Sequence, residues 1–177
     1  MKVDWRVLLV VNVLIIGTLV GLLFLFGEPG KTDYLFNDEW SLKLEGPNGE
    51  NMTLTIEELS EMPSVDKEYF LYRGDSKESE TAVFRGVSLH YLISDVLGGS
   101  SYTSVEVRAI DSYGTVLPRS DVEDHSDIII AYLQNGETIT GSKDGGSGPL
   151  RLIVPQFSEG DLNALKSVKF VTRITLS

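Results

Sequence analysis

The chain has 177 residues, a formal net charge of −11, 42% apolar residues and no cysteine. This length fits one ordinary domain, and the lack of cysteine excludes disulfides, thiolate metal sites, iron–sulfur clusters and thiol nucleophiles from the chain. The acidic charge argues against nucleic acid or an anionic lipid surface as a partner, because both would be repelled.

The N-terminal segment differs in composition from the rest of the chain. Residues 7–26 contain no charged side chain, and a helix of that length spans the hydrocarbon core of a bilayer, about 30 Å. A cleavable signal peptide has a shorter apolar core, followed by a small-residue cleavage site. The sequence LLFLFGEPG at the end of this run contains no such cleavage site. A buried helix of a soluble protein fits less well, because the run is apolar on all sides. We therefore predict an uncleaved transmembrane helix at 7–26.

The charges that flank this segment predict its orientation. Lys2 and Arg6 precede it, whereas acidic residues dominate after it. The positive-inside rule then leaves residues 1–6 in the cytoplasm. It places a linker at 27–38 and a domain at 39–177 on the extracytoplasmic side of the cell membrane, in a single-pass topology. Asn51-Met52-Thr53 matches a glycosylation acceptor on that side, although such a short motif often occurs by chance.

The first half of the domain contains strand signals around one short helix. Alternating apolar residues predict a strand at 40–44. The sequence at 55–58, Thr-Ile-Glu-Glu, has the form of a capping box and predicts a helix that Met62-Pro63 ends. Apolar residues predict a further strand at 69–72.

The clearest helix signal follows an extended segment at 82–84 and a turn at Arg85-Gly86. Ser88 is the predicted N-cap, and Gly98-Gly99 ends the helix. One face of this helix is apolar and consists of Leu89, Leu92, Ile93, Val96 and Leu97.

The stretch from Asp127 to Pro155 carries the most specific pattern of the second half. Ile128–Leu133 is typical of a strand buried on both faces, and Asn135-Gly136 predicts a tight hairpin turn into Glu137–Thr140. A glycine-rich loop at 141–148 leads to a second apolar strand, Leu150–Val154, which contains one charge, Arg151.

The remaining segments are an alternating strand at 105–109, a return strand at 115–117, a polar connection at 118–126 and one long terminal strand at 168–176. In the terminal strand, Val168, Phe170 and Ile174 are predicted to share a face. Many short strands, few short helices and no regular βαβ alternation indicate a sheet-rich α+β fold.

Few residues carry a chemical signal of their own. The two histidines, His90 and His125, have no partner at metal-ligand spacing, so we interpret both as surface residues. The sequence GSKDGGSG lacks the P-loop form and leads into a strand, which favours a flexible or binding loop. Arg151 is interpreted as a structural ion pair or an edge residue, with an anion site as the alternative. The densest acidic cluster is interpreted as a solvated loop rather than a calcium site; it comprises Asp121, Glu123, Asp124 and Asp127.

Taken together, residues 40–177 resemble the molybdopterin-binding domain of the sulfite oxidase and methionine-sulfoxide-reductase family. Its mixed α+β fold agrees with the pattern above. The resemblance rests on the order of WSLKL at 40–44, LTIEEL at 54–59, GVSL at 86–89, DSYG at 111–114, IAY at 130–132, NGE at 135–137, GPLRLIVP at 148–155 and SVKF at 167–170.

The resemblance also implies a cofactor site. Ser167 and Lys169 match positions that contact the terminal phosphate of the pterin, and Arg151 matches the arginine of the family's proline-leucine-arginine segment. In that family a cysteine after the strand at 69–72 binds molybdenum, but here the region reads Tyr-Arg-Gly-Asp at 72–75.

These departures lead to two functional hypotheses. The first is a membrane-anchored, noncatalytic binding or scaffold module, an accessory subunit that meets other protein subunits outside the cytoplasm, with no cofactor, catalytic residue or metal ligand. The second is a redox protein that still binds molybdopterin through Arg151, Ser167 and Lys169. As a third, weaker option, the cleft accepts another small anion.

Overall fold

A computed structural model describes residues 40–74, 79–99, 101–141 and 145–177. The predicted transmembrane helix at 7–26 and the linker at 27–38 lie outside these ranges. Within them, no helix is both long enough and apolar enough to cross a bilayer.

The described residues form two sheets that are mostly antiparallel. One sheet has the order β2-β1-β11-β5-β6, in which β1 and β11 are parallel. The other has the order β10-β9-β7-β4-β3, with β8 paired to β7. The strands are β1 Ser41–Glu45, β2 Asn51–Thr55, β3 Ser64–Leu71, β4 Glu80–Ser88, β5 Ser104–Ala109, β6 Gly114–Pro118, β7 Ile129–Gln134, β8 Glu137–Thr138, β9 Arg151–Ile153, β10 Val168–Lys169 and β11 Val171–Leu176.

Two of these strands, β1 and β7, lie where hydrophobic patterning predicted them. Leu42 and Leu44 of β1 are fully buried, as alternation in a half-buried strand requires. The five residues Ile129–Leu133 of β7 are all buried, because β7 lies between β9 and β4 and is covered on both faces. The hairpin from β7 to β8 turns at Asn135 and Gly136, whose φ angles of 53° and 82° are both positive. The sheet-rich α+β architecture is therefore confirmed.

Short helices connect the strands. Ile56–Glu61 begins at the predicted capping box, in which the Glu58 amide donates to Thr55 Oγ1 at 3.1 Å and the Thr55 amide donates to Glu58 Oε2 at 2.7 Å. Arg119–Asp124 is a helix within the segment predicted as a polar connection, and it buries only Val122, too weak an apolar pattern to signal a helix. A 3₁₀ turn, Asn163–Leu165, follows β9.

The predicted turn at Arg85-Gly86 is wrong, because β4 continues through it to Ser88. The strand has a register shift there, and a Cβ atom on Gly86 would lie 2.2 Å from the carbonyl oxygen of Ile130 on β7. Glycine thus permits a close approach of two strands at a bulge rather than a turn. The helix predicted to follow this turn begins at Leu89. It is an α-helix to Tyr91 and a π-helix over Leu92–Val96. The hydroxyl of Ser88, the predicted N-cap, makes no capping hydrogen bond.

The prediction of one long terminal strand is also wrong. Phe170 has a φ of 56° and separates β10 from β11, which belong to different sheets. Its amide donates to the Ser147 carbonyl, and its carbonyl accepts from the Ile110 amide. The chain thus passes from one sheet to the other at this residue. Val168 and Val171 are both buried on either side of it, which a continuous period-two strand would not allow.

Candidate functional site

Arg151 lies in the interior of a sheet. Its strand, β9, is paired with β7 on one side and β10 on the other, so the interpretation of Arg151 as an edge residue is wrong. The residue is only 3% exposed, between fully buried Leu150 and Leu152. A guanidinium buried to this extent needs a carboxylate partner, and Glu80 supplies it at 3.1 Å, which confirms the ion-pair interpretation.

Three side chains from three strands form the network around this charge. Arg151 Nη2 donates to Glu80 Oε2 at 3.1 Å, and Nη1 donates to Gln134 Oε1 at 3.2 Å. Gln134 Nε2 donates in turn to Glu80 Oε1 at 2.7 Å. The Arg151 guanidinium carbon also lies 4.9 Å from the centre of the Phe84 ring, a cation–π distance. The network fixes the orientation of the arginine before any ligand binds.

A cavity of about 340 Å³ opens beside this network. Its lining contains three cationic side chains and one carboxylate, on a chain whose net charge is −11. The structure thus brings together the three predicted residues Arg151, Ser167 and Lys169. The lining residues are Leu71, Arg73, Glu80, Arg151, Ala164, Ser167 and Lys169.

The charged side chains of the cavity shift one another's pKa values. Burial lowers the pKa of Lys169, the charges of Arg151 and Arg73 lower it further, and Glu80 opposes them. Lys169 is also the direct cross-strand partner of Arg151, a like-charge arrangement that destabilises a sheet. For Glu80, burial acts to raise the pKa, but the hydrogen bonds and charge of Arg151 outweigh it and the net pKa is lowered. The carboxylate is therefore held in its ionised form.

Ser167 lines the cavity but uses its hydroxyl internally. The hydroxyl donates to the Asn163 carbonyl at 3.3 Å and accepts from the Val154 amide at 3.2 Å. It therefore holds the segment before β10 against the end of β9. The role of Ser167 in contacting a cofactor stays a prediction.

Asn163 anchors the same wall of the cavity, and sequence reasoning missed it. Its side chain is fully buried; Nδ2 donates to the carbonyls of Phe70 and Val154 at 2.9 and 2.8 Å, and Oδ1 accepts from the Tyr72 amide at 2.8 Å. These bonds join the end of β3, which leads to Arg73, to the end of β9. In the sequence Asn163 is one asparagine in a polar loop, and no local signal marks it.

Sequence reasoning also missed Arg73, Glu80 and Gln134. Arg73 and Glu80 belong to polar stretches that resemble any solvated loop, and Gln134 ends an apolar strand. Their roles arise from strand pairing, since β4 places Glu80 and β7 places Gln134 within reach of β9.

The lining suits an anion better than a metal ion. The chain has no cysteine, and no group of three or more His, Cys, Asp or Glu residues in the described ranges could hold a metal. Guanidinium groups offer only N–H donors, as does the charged form of lysine. Among the described residues, the lining therefore offers donors for the phosphate of a molybdopterin and no thiolate for its metal.

The other candidate residues lie in structural contacts. The His125 ring stacks on Phe157 with 4.2 Å between ring centres. Asp127 pairs with Lys67 at 2.6 Å, and Glu123 pairs with Arg119 at 2.7 Å. Asp121, Glu123 and Asp124 lie on the helix Arg119–Asp124, so the interpretation of the acidic cluster as a loop is wrong. Glu123 and Asp124 are exposed, as the predicted solvated surface requires.

Comparison with solved structures supports the fold. The sulfane dehydrogenase SoxCD of Paracoccus pantotrophus is similar with a TM-score of 0.63 and 21% sequence identity, over 78% of this chain and 38% of that one.

Two curated proteins are similar to this chain in sequence, each over only a small part of its own length. A nitrate reductase [NADH] of Petunia hybrida is 28% identical over 179 aligned residues, which cover 79% of this chain and 18% of that protein. Nitrate reductase [NADH] 1 of Phaseolus vulgaris is 35% identical over 118 residues, which cover 55% of this chain and 12% of that protein. The chain thus spans less than a fifth of the length of these relatives.

The sequence model of one protein family matches most of the chain. That family is described as the oxidoreductase molybdopterin binding domain, and the match covers residues 29–177. It includes every strand described above and all residues that line the cavity. The chain belongs to the oxidoreductase molybdopterin-binding domain family.

Proposed function

We propose that this protein is a noncatalytic binding or scaffold module, anchored in the cell membrane by residues 7–26, and that it acts as an accessory subunit on the extracytoplasmic side. The observation that carries the proposal is the cavity, whose lining has three cations and no thiolate.

The segment that leads out of β3 supports the loss of catalysis. The resemblance expects a metal-binding cysteine in this region, and here Arg73 follows Tyr72 and lines the cavity. A positive guanidinium cannot donate an electron pair to a metal, and it repels a metal cation nearby. The proposed function therefore involves binding and no redox step.

A second candidate is a redox protein that binds the pterin without a thiolate. It is supported by the position of Arg151, Ser167 and Lys169 around one cavity. In that case Lys169 would contact the terminal phosphate, while Arg151 would contribute its charge from within its network with Glu80. The family cofactor supplies oxygen-atom transfer chemistry when its metal is present, and within the described ranges no group of three or more His, Cys, Asp or Glu residues could hold a metal.

Cofactor analysis of the full-length protein tests both candidates. The protein is purified in a neutral detergent, assayed for molybdenum and tungsten by elemental analysis, and oxidised to release any fluorescent pterin. We expect neither metal nor pterin. A family member of known molybdenum content, produced in the same host, controls for cofactor supply. Stoichiometric metal would overturn the first proposal, whereas pterin without metal would favour the second.

The accessory role predicts a protein partner in the native membrane. Chemical cross-linking of intact membranes, followed by solubilisation and mass spectrometry of the tagged chain, should recover the same partner repeatedly at near-equal stoichiometry. Recovery of the chain only as a monomer would contradict the accessory role.

A further inference from the structure

We infer that the free edge of β3 is an interaction surface that receives an extended segment of a partner protein as an added β-strand, with a lysine or arginine of that segment opposite Glu68. This edge would be the surface through which the proposed accessory role operates, so the inference rests on that role. The residues concerned, 64–68, are distinct from those that line the cavity beside Arg151.

Among the strands that the structure describes, β3 is the longest that lies at the edge of a sheet. It has eight residues, whereas the edge strands β2, β6 and β10 have five, five and two. An open edge presents a row of amide and carbonyl groups with which another chain can pair. The length of β3 makes it the edge best suited to such pairing.

Hydrogen bonds identify the backbone groups of β3 that face outward. Glu68 lies directly opposite Val83 of β4, and Val83 uses both its amide and its carbonyl on Asn135. Directly opposite residues of an antiparallel pair exchange both hydrogen bonds or neither, so the amide and carbonyl of Glu68 point away from β4. The alternation has a period of two, and those of Asp66 therefore point the same way.

Asn163 closes only the far end of this edge. Its side chain donates to the Phe70 carbonyl and accepts from the Tyr72 amide, which agrees with even-numbered residues facing outward. Within the described ranges, no hydrogen bond reaches the backbone amide or carbonyl of Asp66 or Glu68 from this side. Two donors and two acceptors are therefore open to one added strand.

Glu68 carries the charge on this edge that lacks compensation. The Asp66 carboxylate accepts a hydrogen bond from Arg85 Nε at 2.9 Å, and Lys67 Nζ lies 2.6 Å from Asp127 Oδ2. The carboxylate of Glu68 is exposed and forms no ion pair with any described residue. An added strand thus meets one uncompensated negative charge, which a cationic side chain would neutralise.

The neighbouring Phe70 favours a long cationic side chain. Its ring is 46% exposed and lies on the same face of β3 as Glu68, two positions away. The aliphatic stem of a lysine or arginine can pack on such a ring while its charged end reaches the carboxylate. Because side chains stand roughly perpendicular to the sheet, this face stays accessible to solvent when the strand is added.

A second copy of the chain fits this edge poorly. A two-fold dimer would pair the two β3 edges antiparallel. The three registers that join the open backbone groups place Asp66 opposite Asp66, Asp66 opposite Glu68, or Glu68 opposite Glu68. Each of them puts like charges directly opposite, which destabilises a sheet. The edge therefore disfavours its own copy and favours a basic segment of another protein.

Peptide binding to the full-length, detergent-solubilised protein tests the inference. The probe is a short fluorescein-labelled peptide in which valine and threonine alternate on either side of one central lysine. One matched probe has glutamate in place of the lysine, and another has N-methyl groups on its central amides. In fluorescence anisotropy at low salt, we expect saturable binding of the lysine peptide, weaker binding of the glutamate peptide and no binding of the N-methylated peptide.

Variants at one position separate the backbone from the side chain. Glu68→Pro removes an outward amide and breaks no bond to β4, and its ring obstructs an added strand. It should weaken binding of the lysine peptide by about tenfold or more. Glu68→Thr keeps the amide and removes only the charge, so the expected loss is about two- to fivefold.

Asp124→Thr is the matched control. It removes one carboxylate from an exposed residue at the end of a helix outside both sheets, and it should change the affinity by less than about twofold. Urea unfolding checks that Glu68→Pro is folded. If it is not, the N-methylated peptide provides the same test of backbone pairing on the wild-type protein.

Two results would overturn the inference: no saturable binding of the lysine peptide, or equal affinity of the lysine peptide and either matched probe. Cross-linking in native membranes separates this inference from the proposed function. Recovery of one partner at equal yield with the wild type and with Glu68→Pro overturns only the edge site. Absence of any partner with the wild type contradicts the accessory role itself.

Discussion

The ion pair of Arg151 and Glu80 is the central residue-level feature of this protein. Arg151 has a side chain only 4% exposed, whereas that of Glu80 is 35% exposed. Such a pair adds little net stability relative to apolar residues, but removal of one partner leaves a buried charge without compensation. The sequence identified Arg151 as an unusual charge in an apolar strand. It could not identify Glu80, which lies 71 positions away.

Replacement of Glu80 by glutamine should show how much the folded state depends on a negative partner for Arg151. At neutral pH, we expect Glu80→Gln to lower the free energy of unfolding by about 2 kcal/mol, less than for a fully buried pair because Glu80 is partly exposed to solvent. Urea unfolding of the full chain, followed by tryptophan fluorescence, measures the change. The matched control is Glu68→Gln on an exposed position of β3, which should have little effect.

The same variant should alter the response to acid. The pKa of Glu80 in the folded protein lies below its ordinary value of 4.5, so its contribution is present above that value and is lost as the pH falls through the lowered pKa. The wild type should therefore lose stability more steeply than Glu80→Gln below about pH 4.5. Parallel acid profiles of the two proteins would contradict the ion-pair account.

At the scale of elements, two residues decide how strands meet. Gly86 lets β4 approach β7 at a bulge, and Phe170 ends one sheet and begins the other. In both places the sequence pattern suggested something simpler, a turn and a continuous strand. Both predictions failed because the local sequence does not show which backbone lies opposite.

Gly86→Ala should destabilise the fold because the new Cβ would meet backbone atoms of β7, the carbonyl oxygen of Ile130 at 2.2 Å and the Cα of Ala131 at 2.5 Å. Backbone atoms within a paired strand cannot move aside, so we expect a loss of about 1–3 kcal/mol in urea unfolding. Gly141→Ala is the control, because its nearest neighbour would be 3.9 Å away. A loss of similar size in both variants would show that chain entropy, rather than the close approach, is responsible.

For the whole molecule, the sequence predicts a single-pass membrane protein whose domain lies outside the cytoplasm. This prediction depends on residues 1–39, outside the described ranges, and on the charges around the apolar run. The lack of cysteine makes it simple to test, since any introduced cysteine is the sole thiol of the chain.

A membrane-impermeant maleimide should label Glu68→Cys on intact cells, because that position is exposed on the domain. It should label Asp4→Cys only after the membrane is permeabilised, since residues 1–6 are predicted to be cytoplasmic. Quantitative labelling of each variant before and after permeabilisation provides the measurement. The reverse pattern would contradict the predicted orientation.

The sequence by itself determined the features that depend on neighbouring residues: the capping box at Thr55 and Glu58, the Asn135-Gly136 hairpin, the buried strand β7 and the sheet-rich class of the fold. Each of these follows from interactions within a few positions or from a regular period. The family resemblance further identified Arg151, Ser167 and Lys169 as candidate residues of one site.

Only the tertiary structure decided how that site is built. It paired Arg151 with Glu80 and Gln134, placed Arg73 beside Lys169, and used Asn163 and the Ser167 hydroxyl as internal supports. These contacts join residues from separate strands and loops, and strand pairing over long sequence distances sets them. No local pattern contains the information about which charged side chains will share one cavity.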